Sequence, residues 1–202
     1  MKLTQSLNLP VLLIFAAFLT TGASFDQTKK KLNTSKCIYF QFLNTVDSKV
    51  FDVVDSAYCI AYIANDGRFR VEVGPDYYIY DSDTLYSYFW DNNQIIIETP
   101  DPADPIAAEI SFVMKLDEWY DSKSMKEKNA YKLTKKKDLG GDIPDSMVIR
   151  IDNESADINS IEYFDINGDL NRIQISEQVI DSTCNASRFV PDIPDSTEKI
   201  RL

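Results

Sequence analysis

The residue types that most often carry enzyme chemistry are scarce in this sequence. It contains no histidine, which excludes a Ser-His or Cys-His nucleophilic site and an imidazole metal site. A pair of carboxylates for glycoside hydrolysis leaves no local signature and stays open as an alternative. With Trp90 and Trp119 as its only tryptophans, however, the sequence shows no sign of a tryptophan-rich substrate cleft. We therefore expect a non-catalytic protein.

The strongest metal-like pattern is Asp165–Asp169, in which polar positions alternate as in a calcium loop. Position six of such a loop would be Leu170 instead of glycine, and position twelve would be Ser176 instead of glutamate. Asn-Gly between two alternating runs is typical of a β-hairpin turn. We therefore expect neither a metal nor another cofactor.

Three cysteines leave two alternatives open. A hairpin that turns near Asp47 would place Cys37 and Cys59 roughly opposite each other, so a disulfide between them is one interpretation. The other interpretation is that Cys37, Cys59 and Cys184 are all buried free thiols. An oxidising compartment would permit one disulfide and leave one thiol over.

Residues 1–24 have the features of a secretory signal peptide. Lys2 supplies the positive start, Pro10–Leu19 is an apolar core, and small residues follow, with cleavage expected near Ala23 or Ser24. No cysteine follows directly after the apolar core, as a lipobox requires, so we expect no lipid anchor. Residues 25–202 are then expected to form one exported domain. The net charge of −11 argues against a nucleic-acid partner and against adsorption to anionic lipid.

Alternating apolar and polar residues predict a domain made mainly of β-strands. In the run Arg68–Val73, the apolar residues alternate with Arg70 and Glu72, which gives one apolar and one charged face. Turn residues, such as those of Asn65–Gly67, separate the runs. The predicted strands are Lys36–Leu43, Val50–Ala64, Arg68–Val73, Tyr77–Tyr80, Thr84–Trp90, Gln94–Thr99, Ala130–Lys135, Ser146–Asp152, Ser160–Asp165, Asn171–Glu177 and Cys184–Val190.

One amphipathic helix is predicted between the two groups of strands. Residues 106–120 place apolar side chains at helical spacing, and Asp104 and Pro105 suit the start of a helix. The upstream piece Asp26–Ser35 is polar and is expected to form one short helix with little to bury.

About ten or eleven antiparallel strands in one meander curl into a barrel or half-barrel. The predicted fold is therefore mainly β, an unclosed antiparallel β-barrel covered by a helical lid. A filled core beneath a fixed helix is the ordinary interpretation, and a ligand site beneath a loose lid is the functional one. The residues expected to point into that site are Ile38, Phe40, Phe42, Phe69, Val71, Val73, Ile79, Leu85 and Ile96 from the strands, with Ile110, Val113 and Leu116 from the helix.

The order and spacing of several short motifs resemble the LolA family of periplasmic outer-membrane lipoprotein carrier proteins, over residues 32–200. In the family's D-G-x-x-L-W-x-Y segment, Ser82 and Tyr86 replace the glycine and the tryptophan here. The motifs are F-x-F-x-N at Phe40–Asn44, R-F-R-V at Arg68–Val71, D-x-x-T-L-Y-x-Y at Asp81–Tyr88, Q-I-I-I at Gln94–Ile97, F-D-I-N-G-x-L-x-x-I at Phe164–Ile173 and R-F-V-P-D-I-P at Arg188–Pro194.

The resemblance implies an unclosed, lidded barrel of about eleven strands. Its cavity would hold the acyl chains of lipoproteins. It also implies a monomeric periplasmic carrier that takes acylated lipoproteins from an inner-membrane ABC transporter to an outer-membrane receptor or acceptor. The family's lid-latching arginine aligns with Asn65, with Arg68 three residues on, so the identity of the latch is open. The alternative is a LolA-like half-barrel that binds or senses another envelope lipid or protein.

Overall fold

The computed structural model describes residues 24–100, 112–137, 139 and 143–202, so the predicted signal sequence before Ser24 lies outside the described residues. The described helices are α1 (Phe25–Thr34) and α2 (Leu116–Trp119), with 3-10 helices at Phe112–Lys115 and Ala186–Phe189. None of these helices is long and apolar enough to cross a membrane. The strands are β1 (Cys37–Ser48), β2 (Val53–Ala64), β3 (Phe69–Val73), β4 (Asp76–Tyr80), β5 (Leu85–Phe89), β6 (Gln94–Glu98), β7 (Tyr120–Ser124), β8 (Ala130–Lys135), β9 (Ser146–Ile151), β10 (Ile158–Phe164), β11 (Leu170–Asp181) and β12 (Glu198–Arg201).

All twelve strands belong to one sheet, in the order β12-β6-β5-β4-β3-β2-β1-β11-β10-β9-β8-β7. Two meanders, β1 to β6 and β7 to β11, join where β1 pairs with β11. In the described part of the chain, β7 and β12 are the two edges, so the sheet does not close. The predicted mainly-β, unclosed fold is confirmed. One detail differs from the expectation, because β12 pairs with β6 in parallel.

One predicted strand is wrong, and two observed strands, β7 and β12, were not predicted. The segment Cys184–Val190 was expected to be a strand, but it contains a short 3-10 helix whose first turn is capped by Asn185. Strand β7 was not predicted, because its sequence after Tyr120 is polar and exposed and carries no apolar alternation. The described part of the predicted helix, residues 112–119, is helical and ends where β7 begins.

Two turns follow their sequence signals. Gly67 adopts a positive φ of 94° in the turn between β2 and β3, as the Asn-Asp-Gly sequence predicts. In the Asp165–Asp169 loop, the Asp165 carboxylate accepts the backbone N–H groups of Asn167 and Asp169 at 2.9 and 3.0 Å. This side chain therefore stabilises the β10–β11 turn, as the hairpin interpretation requires.

Helix α1 buries more than its polar sequence indicated. Phe25, Thr28 and Leu32 lie on one helical face and are buried, so the expectation of little to bury is wrong. The Thr28 hydroxyl donates to the backbone carbonyl of Ala156 at 2.7 Å, and Lys31 forms an ion pair with Asp157 at 2.6 Å. These contacts fix α1 on the turn between β9 and β10.

Apolar side chains cover both faces of the sheet. On the concave face, α1 and the lid segment, residues 112–119, share one core with the strands. On the outer face, the C-terminal segment, residues 182–197, packs Phe189 against Ile79 and places Ile193 beside Tyr88 and Ile97. The sheet therefore lies between two apolar layers, of which sequence analysis predicted one.

The cysteine pairing differs from both interpretations of the sequence. Cys37 is disulfide-bonded to Cys184, and Cys59 is a buried free thiol. Cys59 lies opposite Phe42 in the β1–β2 ladder, five residues along β1 from Cys37, so Cys37 and Cys59 point to opposite faces of the sheet. Cys37 points to the outer face, where the C-terminal segment brings Cys184.

The β1–β2 hairpin projects beyond its neighbour. Strand β3 pairs with β2 only from Cys59 to Ile63, so the first half of β2 has β1 as its one described partner strand. This projecting tip exposes a group of large apolar side chains, Val50, Phe51, Val53, Val54 and Tyr58.

Candidate ligand-binding cavity

A cavity of about 480 Å³ lies between the concave face of the sheet and the lid segment. Its volume is within the range of about 300–1,000 Å³ that is common for small-molecule sites. None of its described lining residues is charged. The lining consists of Phe40, Phe42, Asn44, Cys59, Ala61, Ile63, Val71, Val73, Tyr78, Phe112, Val113, Ile161, Tyr163, Ile173 and Ile175.

Cross-strand pairing explains why these side chains share one face. Phe40 lies opposite Ala61, Ala61 opposite Val71, and Val71 opposite Tyr78, which gives one row across four strands. Directly opposed residues in antiparallel strands point to the same face, and alternate residues along a strand return to it. The same rule extends the lining through β11, where Ile175 lies opposite Phe42.

The lid segment supplies Phe112 and Val113 to the cavity. Its C-terminal end is held by Lys136, whose ammonium donates to the backbone carbonyls of Asp117 and Glu118 at 2.8 and 3.0 Å. Such a contact satisfies carbonyls that a helix end leaves unpaired. The Asp117 side chain forms an ion pair with Lys29 of α1 at 2.9 Å. The lid is therefore attached through polar contacts at its rim and apolar contacts beneath.

The structure brings five of the predicted residues to the cavity wall: Phe40, Phe42, Val71, Val73 and Val113. Four others are buried on the concave side but outside the cavity lining: Ile38, Phe69, Leu85 and Leu116. They fill the core around the cavity instead of facing its space. The predicted orientation of Arg70 and Glu72 toward the opposite face is also observed, where they form an ion pair at 2.6 Å.

Three predicted residues lie elsewhere. Ile79 points to the outer face and packs beside Phe189, so its predicted place in the site is wrong. Ile96 has the concave orientation, opposite Ser87, but is only partly buried and lies outside the lining. Ile110 lies outside the described residues.

Sequence analysis missed the contribution of the second meander. Ile161 and Tyr163 from β10, with Ile173 and Ile175 from β11, form one wall of the cavity. Their alternation with polar residues is the same signal that identified Arg68–Val73. Applied to β10 and β11, this alternation would have identified the four residues as facing inward.

Few polar groups enter this apolar space. The Cys59 thiol lines it, and burial raises the pKa of that thiol, which keeps it neutral. The amide oxygen of Asn44 is shielded from solvent and forms no hydrogen bond with a described residue. The cavity is therefore suited to an uncharged, mostly apolar ligand.

The two residues considered for the lid latch lie in different places. Arg68 donates to Asp66 at 2.8 to 3.1 Å, and its guanidinium lies 4.9 Å from the ring centroid of Phe189 on the outer face. Asn65 lines a polar groove between α1 and the lid segment, together with Asn33 and Lys115. Among the described residues, the polar contacts that hold the lid segment are instead those of Lys29 with Asp117 and of Lys136 with the carbonyls of Asp117 and Glu118.

No protein-family model matches the sequence, and no curated protein matches it. Solved structures do match. An uncharacterized conserved protein from Thermus thermophilus covers 89% of this chain and 100% of its own, at 12% identity and a TM-score of 0.52. A LolA superfamily protein from Nitrosomonas europaea covers 84% and 98%, at 7% identity and a TM-score of 0.46. A DUF1329 family protein from Desulfovibrio piger covers 82% and 95%, at 11% identity and a TM-score of 0.45.

An open sheet wrapped around an apolar cavity beneath a helical segment is the architecture that the motifs of the sequence imply. It is the fold that the sequence resemblance to the LolA family implies. At identities of 7 to 12%, the likeness to solved structures concerns the fold alone. The ligand of this chain is therefore inferred from its own cavity.

Proposed function

We propose that this chain is a non-catalytic periplasmic carrier that binds the acyl chains of lipoproteins in its cavity. The supporting observation is the cavity itself, with a lining of aromatic and aliphatic side chains and no charge on its described residues. An acyl chain is long, flexible and uncharged, so it suits such a space. The sequence resemblance to lipoprotein carriers points to the same class of cargo.

The hydrophobic effect supplies enough free energy for such a complex. Burying an acyl chain contributes about 0.8 kcal/mol per CH₂ group. A long chain thus contributes roughly 10 kcal/mol before the costs of ordering the chain and displacing the lid segment are subtracted. Phe112 and Val113 line the cavity from the lid side, so a ligand that enters beneath the lid segment would displace it, and that cost would keep the binding reversible.

The proposed partners follow from this cargo. The carrier would be exported by the signal peptide at residues 1–24, would accept acylated lipoproteins from an inner-membrane ABC transporter, and would deliver them to an outer-membrane receptor or acceptor. The net charge of −11 would reduce adsorption to anionic membranes during the transfer. The carrier would act as a monomer and without a cofactor.

The test is titration with a fluorescent fatty-acyl probe of the wild type and two matched variants. Val71→Trp places a large side chain in the cavity, because Val71 forms part of its wall. Val179→Trp makes the same change on the outer face, where Val179 is 45% exposed and lies opposite Tyr39. Thermal unfolding of all three proteins shows that each remains folded.

We expect the wild type and Val179→Trp to bind the probe with similar affinity, and Val71→Trp to bind at least tenfold more weakly. Equal binding by the two variants would place the site outside the cavity. A folded wild type that ignores the probe would contradict the carrier proposal and favour a filled core beneath a fixed helix. Binding of the probe combined with recovery of a non-acylated envelope component from the periplasm would favour the alternative cargo.

A further inference from the structure

The first half of β2, residues 53–58, has a free edge. Strand β3 pairs with β2 only beyond Tyr58, whose carbonyl accepts the backbone N–H of Gly74 at 3.2 Å. Successive residues of an antiparallel strand direct their backbone groups to alternate sides, so those of Val54 and Ser56 also point away from β1. No strand in the described part of the chain pairs with them. The Ser56 N–H donates instead to the side chain of its neighbour, Asp55, at 2.7 Å.

The two faces of this free edge differ in chemistry. On the outer face, Val54 and Tyr58 are 65% and 77% exposed. Asp55 lies on the opposite face, because side chains alternate along the strand, and it is also exposed. Neither Asp55 nor Asp52, in the turn before β2, forms an ion pair with a described residue. The edge therefore combines unpaired backbone groups, exposed apolar side chains and unneutralised negative charge.

An extended peptide is the occupant that satisfies all three features. A free strand edge is a template for an added strand, whose main chain supplies the missing hydrogen bonds. Apolar side chains on one face of that peptide would cover Val54 and Tyr58. Lysine or arginine on its other face would lie beside Asp55, and opposite charges on neighbouring strands are stabilising.

Two other occupants agree less well with the edge. A bilayer interior offers no partners to unpaired backbone groups, and open sheet edges do not occur in it. The net charge of −11 also opposes contact with anionic lipid. A second copy of this chain would bring the Asp55 carboxylates of both copies onto one short pair of strands, where like charges are destabilising.

We propose that the free edge of β2 binds an extended peptide segment of a partner protein as an added strand. The segment has apolar side chains facing outward beside Val54 and Tyr58, and a basic side chain beside Asp55. Ser56 then exchanges its contact with Asp55 for a main-chain hydrogen bond. This interaction site lies outside the cavity lining and goes beyond the proposed function.

The experiment measures fluorescence anisotropy of a labelled peptide, Thr-Val-Lys-Val-Lys-Val-Thr, whose valines and lysines lie on opposite faces when it is extended. Ser56→Pro removes the edge N–H group without removing a bond to β1. Ser122→Pro is the matched control on β7, a different free edge. Trp119 and Met125 direct their backbone groups to β8, so the N–H group of the exposed Ser122 points away from β8.

We expect the wild type and Ser122→Pro to bind the peptide with similar affinity and Ser56→Pro to bind it at least fivefold more weakly, about the ratio that one net hydrogen bond gives. The wild type should bind the same peptide with glutamates in place of its lysines at least fivefold more weakly. Both proline variants should bind the fatty-acyl probe as the wild type does, because neither residue lines the cavity. Thermal unfolding shows whether each variant is folded.

Several results would overturn this inference. One is a folded wild type that ignores the lysine peptide, and another is equal binding of that peptide by wild type and a folded Ser56→Pro. Equal binding of the lysine and glutamate peptides by the wild type needs no variant and would also contradict it. Sedimentation of the wild type as a dimer that Ser56→Pro dissociates would assign the edge to a second copy, and co-sedimentation with phosphatidylcholine vesicles would assign it to a membrane. The fatty-acyl probe tests the carrier function separately.

Discussion

Cys37 and Cys184 form a disulfide across 147 residues of sequence, with their Cα atoms 5.0 Å apart. The bond joins the first residue of β1 to the C-terminal segment that covers the outer face of the sheet. Beyond the disulfide, Arg188 lies over the ring of Tyr62, 4.2 Å from its centroid, and Phe189 is buried. The outer layer is thus fixed independently of the lid on the concave face.

Reduction of this disulfide should destabilise the protein. In the loop-entropy model, a crosslink that closes a loop longer than about 100 residues raises the free energy of unfolding by about 4–5 kcal/mol. Urea unfolding with and without a reductant measures the difference. Cys184→Ser is the control, since its unfolding should not respond to the reductant. An unchanged urea midpoint for the wild type after complete reduction of the disulfide would contradict the prediction.

Ile79→Ala should lower stability without changing acyl binding. Ile79 is fully buried against the C-terminal segment, and truncation of such a side chain costs about 2–5 kcal/mol. It faces away from the cavity, so the affinity for a fatty-acyl probe should equal that of the wild type. Urea unfolding and probe titration are the two measurements. A large loss of probe affinity in a folded variant would indicate that Ile79 faces the cavity and would contradict the prediction.

Leu116→Ala should also cost about 2–5 kcal/mol of stability, because Leu116 is 2% exposed in the core beneath the lid. The lost packing also destabilises the closed state, in which the lid segment packs on the sheet, relative to an open state in which it does not. The fraction of protein that is competent to bind a ligand therefore rises. Apparent affinity for the probe should increase and release to acceptor vesicles should slow. Ile79→Ala is the matched control for a general loss of stability. An affinity that falls in parallel with stability would show that the helix has only a structural role.

The Cys59 thiol should report occupancy of the cavity. The thiolate is the reactive form, and burial raises the pKa of this thiol, so alkylation in the folded protein should be slow at neutral pH. Its rate should keep rising above pH of about 8.5, the ordinary value for cysteine. An acyl ligand should slow it further. Fast labelling at pH 7, or labelling unaffected by a saturating ligand, would contradict the cavity assignment.

Much of the sheet could be predicted from local pattern. Arg68–Val73 alternates apolar and charged residues, and the structure places its apolar residues on the concave face. The run that contains Ile79 gave no such information, because Tyr77, Tyr78, Ile79 and Tyr80 are apolar or aromatic on both sides. Both faces of that strand are covered, the inner by the core and the outer by the C-terminal segment. Alternation cannot distinguish two covered faces.

The Cys37–Cys184 disulfide was not predicted for a related physical reason. Its partner reaches Cys37 only after the C-terminal segment has crossed the outer face, and that path depends on tertiary contacts such as the burial of Phe189. Sequence spacing between Cys37 and Cys59 indicated a hairpin neighbour, but the register places the two on opposite faces. Asn44 was visible in the F-x-F-x-N motif, but its position in the cavity wall required the fold.

Mass spectrometry of the protein isolated from the periplasm under native conditions tests the central claim most directly. The measurement compares the wild type with Val71→Trp, whose cavity is filled, and with Val179→Trp, whose added bulk lies on the outer face. We predict that the wild type and Val179→Trp carry acylated lipoprotein as an additional mass and that Val71→Trp does not. Equal amounts of acylated cargo on all three proteins, or none on a folded wild type, would contradict the account.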